Sequence, residues 1–170
     1  MTCNPLVLVL VLGLAAGDTG TRKPDPPGTG RYLTQFRNLF DKWDLDKDGS
    51  LDKEELAKAF RGPDAKPLDK DGEAGKPETL FLEQLDTDGD DKISRAEWDA
   101  WARDLSVALK QRDDAKERYQ ATLGRYRNAT SRREKELLSR QLQLQKQALD
   151  NATRQVQKLD QHFRSAKTLR

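Results

Sequence analysis

Cysteine, histidine and methionine are almost missing from this chain, and each shortage removes a class of chemistry. The single cysteine is Cys3. It lies in an N-terminal segment read below as a removable signal. Without that segment, disulfides, thiolate catalysis and cysteine metal sites all go. The single histidine, His162, stands beside Phe163 with no nucleophile or carboxylate constellation around it. No catalytic arrangement is legible, and the chain is not expected to be an enzyme. Apolar residues are scarce as well, at 35%, against 35% charged. That supply suits a small core with a long solvated helical part better than one large core in 170 residues. Proline and glycine thin out toward the end: from Ser106 onward there is no proline and only Gly124.

The one long apolar run is Leu6 to Ala16, inside seventeen residues that carry no charge. It reads as the core of a secretory signal cleaved near Ala15 or Gly17, although no Lys or Arg precedes it. It falls short of the roughly 20 residues of a membrane span. The expected destination is therefore secreted or periplasmic, with membrane anchoring if the signal stays and no stable span if it is removed. An exported protein with a small core and no disulfide needs another staple, and a bound metal is one.

Residues 18–31 hold three prolines and two glycines between Thr21 and Gly30 and read as a flexible leader. Leu33, Phe36, Leu39, Phe40 and Trp43 then recur at helical spacing. A second amphipathic segment carries Leu56, Ala59 and Phe60 and stops at Gly62-Pro63. After a proline- and glycine-rich linker over 62–77, Leu82 and Leu85 mark a third short helix. Ser94 and Glu97 form a capping-box pattern ahead of Trp98, Trp101 and Leu105.

Between the first two helices lies "DLDKDGSLDKEE", Asp44 to Glu55, with a carboxylate at every second position, then glycine, then a terminal glutamate. Calcium is a hard cation that takes six to eight oxygens, and a twelve-residue loop supplies them from positions 1, 3, 5, 7, 9 and 12. Those positions hold Asp44, Asp46, Asp48, Ser50, Asp52 and Glu55, with Gly49 at the sharp sixth position. Asp86 to Glu97 repeats the pattern with Asp86, Asp88, Asp90, Lys92, Ser94 and Glu97. Ser50 and Lys92 would each offer only a backbone carbonyl. The second loop has Asp91 where glycine is favoured, so it is expected to bind more weakly. Leu51 and Ile93 occupy the eighth position of each loop and can pair in a short antiparallel bridge.

The region from Tyr32 to Leu105 thus resembles a pair of EF-hands, the helix–loop–helix modules of the calmodulin-like superfamily. The resemblance implies two calcium sites and covers under half of the chain. The stretch Asp69 to Glu73 imitates the front of a third loop but meets Leu80 at its twelfth position, and reads as linker. The only methionine is Met1, so a promiscuous sensor with a methionine-rich groove is not expected. Trp43, Trp98 and Trp101 read most simply as core, with an aromatic anchor for one partner as the sharper alternative.

The net charge of +2 conceals an acidic head and a basic tail. Residues 1–102 hold 14 Lys/Arg and 21 Asp/Glu, whereas residues 103–170 hold 17 and 8. In the tail, Leu105, Leu109, Tyr119, Leu123 and Tyr126 share one apolar register, interrupted by Arg112 and Lys116. A second register runs through Leu138, Leu142, Leu149, Ala152, Val156, Leu159, Phe163 and Ala166. The slip between them contains a capping-box pattern at Ser131 and Glu134. An antiparallel helical hairpin over 106–170 is favoured, with one long stuttered helix as the competitor.

The expected fold is all-α: a paired calcium-binding head over 32–105 and a long helical hairpin or coiled-coil extension. The expected role is calcium-stabilised interaction or scaffolding, with a calcium-responsive regulator or a simple buffer as alternatives. A protein partner or self-association through the tail is expected. Nucleic acid is not, because the tail aromatics lie on the seam and do not interleave with the basic residues. Asn128 and Asn151 open the sequons Asn-Ala-Thr, which could carry glycans in a eukaryotic secretory pathway; chance occurrence is the simpler reading.

Overall fold

The computed structural model describes residues 24–66 and 75–166. The apolar N-terminal run and the loop-like stretch Asp69 to Glu73 lie outside these residues. Within them, helix α1 spans Gly30–Trp43, strand β1 Ser50–Leu51, α2 Lys53–Arg61, α3 Pro77–Leu85, β2 Ile93–Ser94, α4 Arg95–Asn128 and α5 Arg132–Leu159. A 3-10 turn over Phe163–Ser165 follows. The all-α expectation holds, since the only sheet among the described residues is the bridge between β1 and β2.

The described part of the expected leader is tied to α1 and to itself. Asp25 accepts two hydrogen bonds from the Arg37 guanidinium, at 2.8 and 3.0 Å. The Thr29 hydroxyl donates to the carbonyl of Pro26 at 2.6 Å. Helix α1 then buries Leu33, Phe40 and Trp43. Helix α2 opens on Asp52, whose carboxylate accepts from the Glu55 amide, and closes at Gly62 with φ of 116°, a backbone state that needs glycine. Pro77 is the first residue of α3, where a missing amide hydrogen costs nothing. An ion pair of 2.6 Å between Arg61 and the buried Glu78 joins α2 to α3.

The capping box expected at Ser94 and Glu97 forms and starts α4. That helix continues for 34 residues, roughly 50 Å. It passes Leu105 without a break and turns at Ala129. The tail therefore takes the hairpin arrangement, with α5 packed back along α4. The second expected capping box does not form: Ser131 is the N-cap of α5, but its side chain makes no capping bond. Ser131 and Glu134 are exposed, and water can serve the free amides there.

The seam of α4 also differs from the expected register. Its inward stripe is Trp101, Leu105, Ala108, Arg112, Ala115, Tyr119, Thr122, Tyr126 and Ala129, in unbroken steps of four and three, all buried or half-buried. Beyond Leu105, small residues at Ala108, Ala115, Thr122 and Ala129 supply the buried positions. They let the facing backbones come close, which is why large residues alone gave an interrupted pattern. On α5 the expected register holds, with Gln145 filling its missing step half-buried.

The core lies where the tail returns to the head. Val156, Phe163 and Ala166 belong to the same buried cluster as Leu33, Phe40, Leu56, Phe81 and Trp98. Phe163 has its ring centroid 4.9 Å from Trp101, 5.8 Å from Phe81 and 5.9 Å from Phe36. The edge-to-face geometry of the pairs with Trp101 and Phe36 adds about 0.5–1.5 kcal/mol each beyond burial. All three tryptophans are buried, so they serve as core and not as an exposed anchor.

Candidate metal centre

The two acidic loops are built alike. Each begins as the preceding helix ends: Asp44 and Asp86 are the C-caps of α1 and α3, with amides donating to Phe40 and Leu82. Each then turns on its own carboxylates. In the first loop, the Gly49 amide donates to Asp44 at 3.3 Å, Asp48 to Asp46 at 3.0 Å and Ser50 to Asp48 at 2.7 Å. In the second, Gly89 and Asp91 donate to Asp86 at 2.6 and 3.0 Å, and Lys92 donates to Asp90 at 2.8 Å. Asp91 adopts φ of 64°, the left-handed turn that its position requires and that aspartate tolerates better than most residues.

The loops lie back to back. Leu51 pairs with Ile93 and Ser50 with Ser94 in an antiparallel bridge. Both apolar partners are fully buried, as their place at the eighth loop position led us to expect. The Arg95 amide adds a bond of 3.2 Å to the Gly49 carbonyl.

Asp44, Asp46 and Asp48 offer oxygens that all lie within 4.8 Å of one another, and so do Asp86, Asp88 and Glu97. The remaining expected ligands are arranged otherwise. Glu55 accepts from Leu45 at 2.6 Å with one oxygen and from Asp52 at 3.1 Å with the other, clasping the two ends of its loop. Asp52 is turned to the Glu55 amide at 2.9 Å, as an N-cap. Ser94 caps α4 in the same way and also donates its hydroxyl to Glu97 at 2.8 Å. Asp90 stands outside the second cluster and receives the Lys92 amide. For Ser50 and Lys92 the expectation concerns the backbone carbonyls and not the side chains.

Electrostatics separate the two terminal glutamates. Burial pushes the Glu55 carboxyl up, against the Leu45, Asp52 and Asp46 amides that favour its charge. Burial acts the same way on Glu97, but the amides and hydroxyls of Thr87 and Ser94 outweigh it and hold that carboxyl down at about 2. Desolvation, followed by the charges of Asp90, Glu97 and Asp86, pushes the Asp88 carboxyl up. This is the repulsion a cation would relieve. Asp44 makes the sharpest case: it is buried, and its Oδ1 has no hydrogen-bond partner. An orphaned buried carboxylate oxygen is costly, and Asp44 belongs to a cluster with two further carboxylates. The donor set is all oxygen and acidic, which fits a hard divalent cation such as calcium.

A family model described as an EF-hand domain pair matches residues 33–103. This segment is an EF-hand domain pair. No curated protein and no solved structure matches the chain. Both acidic clusters lie within the matched residues, and their all-oxygen donor sets suit calcium.

Several contacts in the EF-hand pair were not legible from the loop rules. Thr87 donates both its amide and its hydroxyl to Glu97, at 2.6 and 2.8 Å. Lys92 reaches across from the second loop to Asp48 of the first at 3.0 Å and holds that carboxyl below its ordinary value, with help from the Ser50 amide. Lys53 answers in the opposite direction, 3.0 Å from Asp91. Arg95 pairs with Asp41 and lies 4.6 Å above the Phe40 ring. The acidic background around each lysine is the only sequence signal for these cross-loop pairs, and it does not single out a partner.

Proposed function

We propose that the protein is a non-enzymatic calcium-binding module that takes one calcium ion in each loop, and that the loaded head supports the hairpin as an interaction surface. The ligands would be Asp44, Asp46, Asp48, the Ser50 carbonyl, Asp52 and Glu55 in the first loop. Asp86, Asp88, Asp90, the Lys92 carbonyl, Ser94 and Glu97 would serve in the second. The observation that carries the reading is the orphaned Asp44 Oδ1 inside an acidic cluster whose loop has a bridged twin. Calorimetric calcium titration of the full chain tests it. Two sites are expected in the native chain and one in each of Glu55→Gln and Glu97→Gln; unchanged stoichiometry in both variants would overturn the assignment.

The interaction role rests on the outer face of α5. Leu137 and Leu144 are seven residues apart and 62% and 67% exposed, a stripe suited to a second helix from a protein partner or another copy. Export rests on the apolar run at Leu6 to Ala16. A calcium-responsive regulator is the second reading, favoured by the placement of Trp98 directly after Glu97 and beneath the aromatic cluster. A pure buffer has no use for a core shared with the tail. For the same reason, deletion of 106–170 would strip Val156 and Phe163 from that core, so point variants discriminate better.

A further inference from the structure

The C-terminal end of α5 is held in an unusual way. The last carbonyls of a helix have no partner within it, yet the Leu159 carbonyl accepts two side-chain bonds. Trp101 Nε1 donates at 3.0 Å and Gln84 Nε2 at 3.2 Å. Gln84 lies on α3, two residues before Asp86, the first ligand position of the second loop. Trp101 lies on α4, four residues after Glu97, the last. The two donors therefore stand on the two helices that frame the second loop, just outside it. A groove of about 460 Å³ runs from Thr87 and Glu97 at the loop to Trp101 and Leu159 at the fork. Beyond the fork, Phe163 packs between Phe81 of α3 and Trp101 of α4. The helix that leads into the first loop meets the same segment through rings: Phe36 and Trp43 lie 5.9 and 6.0 Å from Phe163.

We infer that residues 156–166 are the resident ligand of the apolar cleft in the head, and that their docking is coupled to metal at the second loop. The inference rests on the calcium reading given above. Both arms of the fork reach one oxygen only when α3 and α4 keep one separation. An ion ligated by Asp86 and Glu97 ties the same two helix ends. Each event therefore lowers the ordering cost of the other, and the coupling is reciprocal. The segment occupies the surface that an incoming amphipathic helix would need, so metal loss at the second loop is what frees it.

Limited trypsin digestion of the full chain reads the docking directly, because cleavage after Lys158 or Arg164 requires this segment to lift. Calcium should slow that cleavage by about fivefold or more. Glu97→Gln should abolish the protection. Glu55→Gln should keep it, at calcium concentrations that calorimetry shows to fill the remaining loop. Gln84→Ala, which removes one arm of the fork and little else, should weaken calcium at the second loop by about fivefold. Equal protection in both glutamine variants overturns the coupling and leaves the calcium reading standing. So does unchanged cleavage when calorimetry shows calcium bound, or unaltered affinity in Gln84→Ala. Absence of any calcium binding overturns both.

Discussion

Replacing Phe163 with alanine separates a tail that is merely attached from one that completes the core. The ring is 7% exposed and touches Phe36, Trp43, Phe81, Trp98 and Trp101. Truncating a buried phenylalanine costs about 3–5 kcal/mol when the site cannot collapse. The upper end is not expected here, because the short 3-10 turn can lift from the cleft without breaking α5, which caps the loss at the free energy of docking it. A loss of about 2–4 kcal/mol is a large share of the roughly 5–15 kcal/mol that holds a domain together. In a chain of this size it corresponds to a midpoint drop of about 4–16 °C. Thermal and urea unfolding followed by tryptophan fluorescence would measure it, since three of the five partners are tryptophans. A loss below about 0.5 kcal/mol, the range of ordinary surface substitutions, would refute the claim that the tail shares the core of the head.

Ala115→Leu should destabilise by about 1–3 kcal/mol through overpacking of the close α4–α5 seam, whereas Leu137→Ala on the exposed face should stay within about 0.5 kcal/mol; urea unfolding of both variants tests the seam as drawn. Tyr32→Phe removes the hydroxyl that donates to Asp113 and should cost about 1 kcal/mol. Burial pushes the Asp113 carboxyl up, yet the bonds from Tyr32 and Arg112 hold it below its ordinary value, so the variant should shift its titration upward by nuclear magnetic resonance. In metal-free protein, Glu97 is held down at about 2, below the roughly 4.3 of a free glutamate. Its contribution is therefore complete above pH of about 4.3 and is lost as pH falls toward 2. Acid unfolding of metal-free Glu97→Gln should lack that part of the pH dependence, and an identical acid profile would contradict the assignment.

The loops were legible because metal geometry fixes spacing residue by residue. Six ligand positions in twelve, an apolar eighth residue and a helix on each side leave little freedom, and the bridge of Leu51 with Ile93 followed directly. The hairpin was legible from the slip between two registers. What the sequence hid was set by distance along the chain. Nothing local to Phe163 marks it for a cleft formed by α3 and α4, and nothing local to Leu159 marks its carbonyl for Gln84 and Trp101. The seam through Ala108, Ala115 and Thr122 was hidden for a different reason, since small residues pack a close interface without the bulk that periodicity arguments look for. Ser131 and Glu134 show the converse: a capping pattern on an exposed turn has water as an equal competitor for the same amides.

The central claim is that the two acidic loops are calcium sites. Titration of the metal-stripped chain with calcium, with magnesium as control and tryptophan fluorescence and calorimetry as readouts, tests it most directly. Two calcium ions per chain should bind, with a fluorescence change from Trp43 and Trp98 beside the loops and weaker binding of magnesium, which dehydrates reluctantly. A flat calorimetric trace and unchanged fluorescence at millimolar calcium would contradict the account.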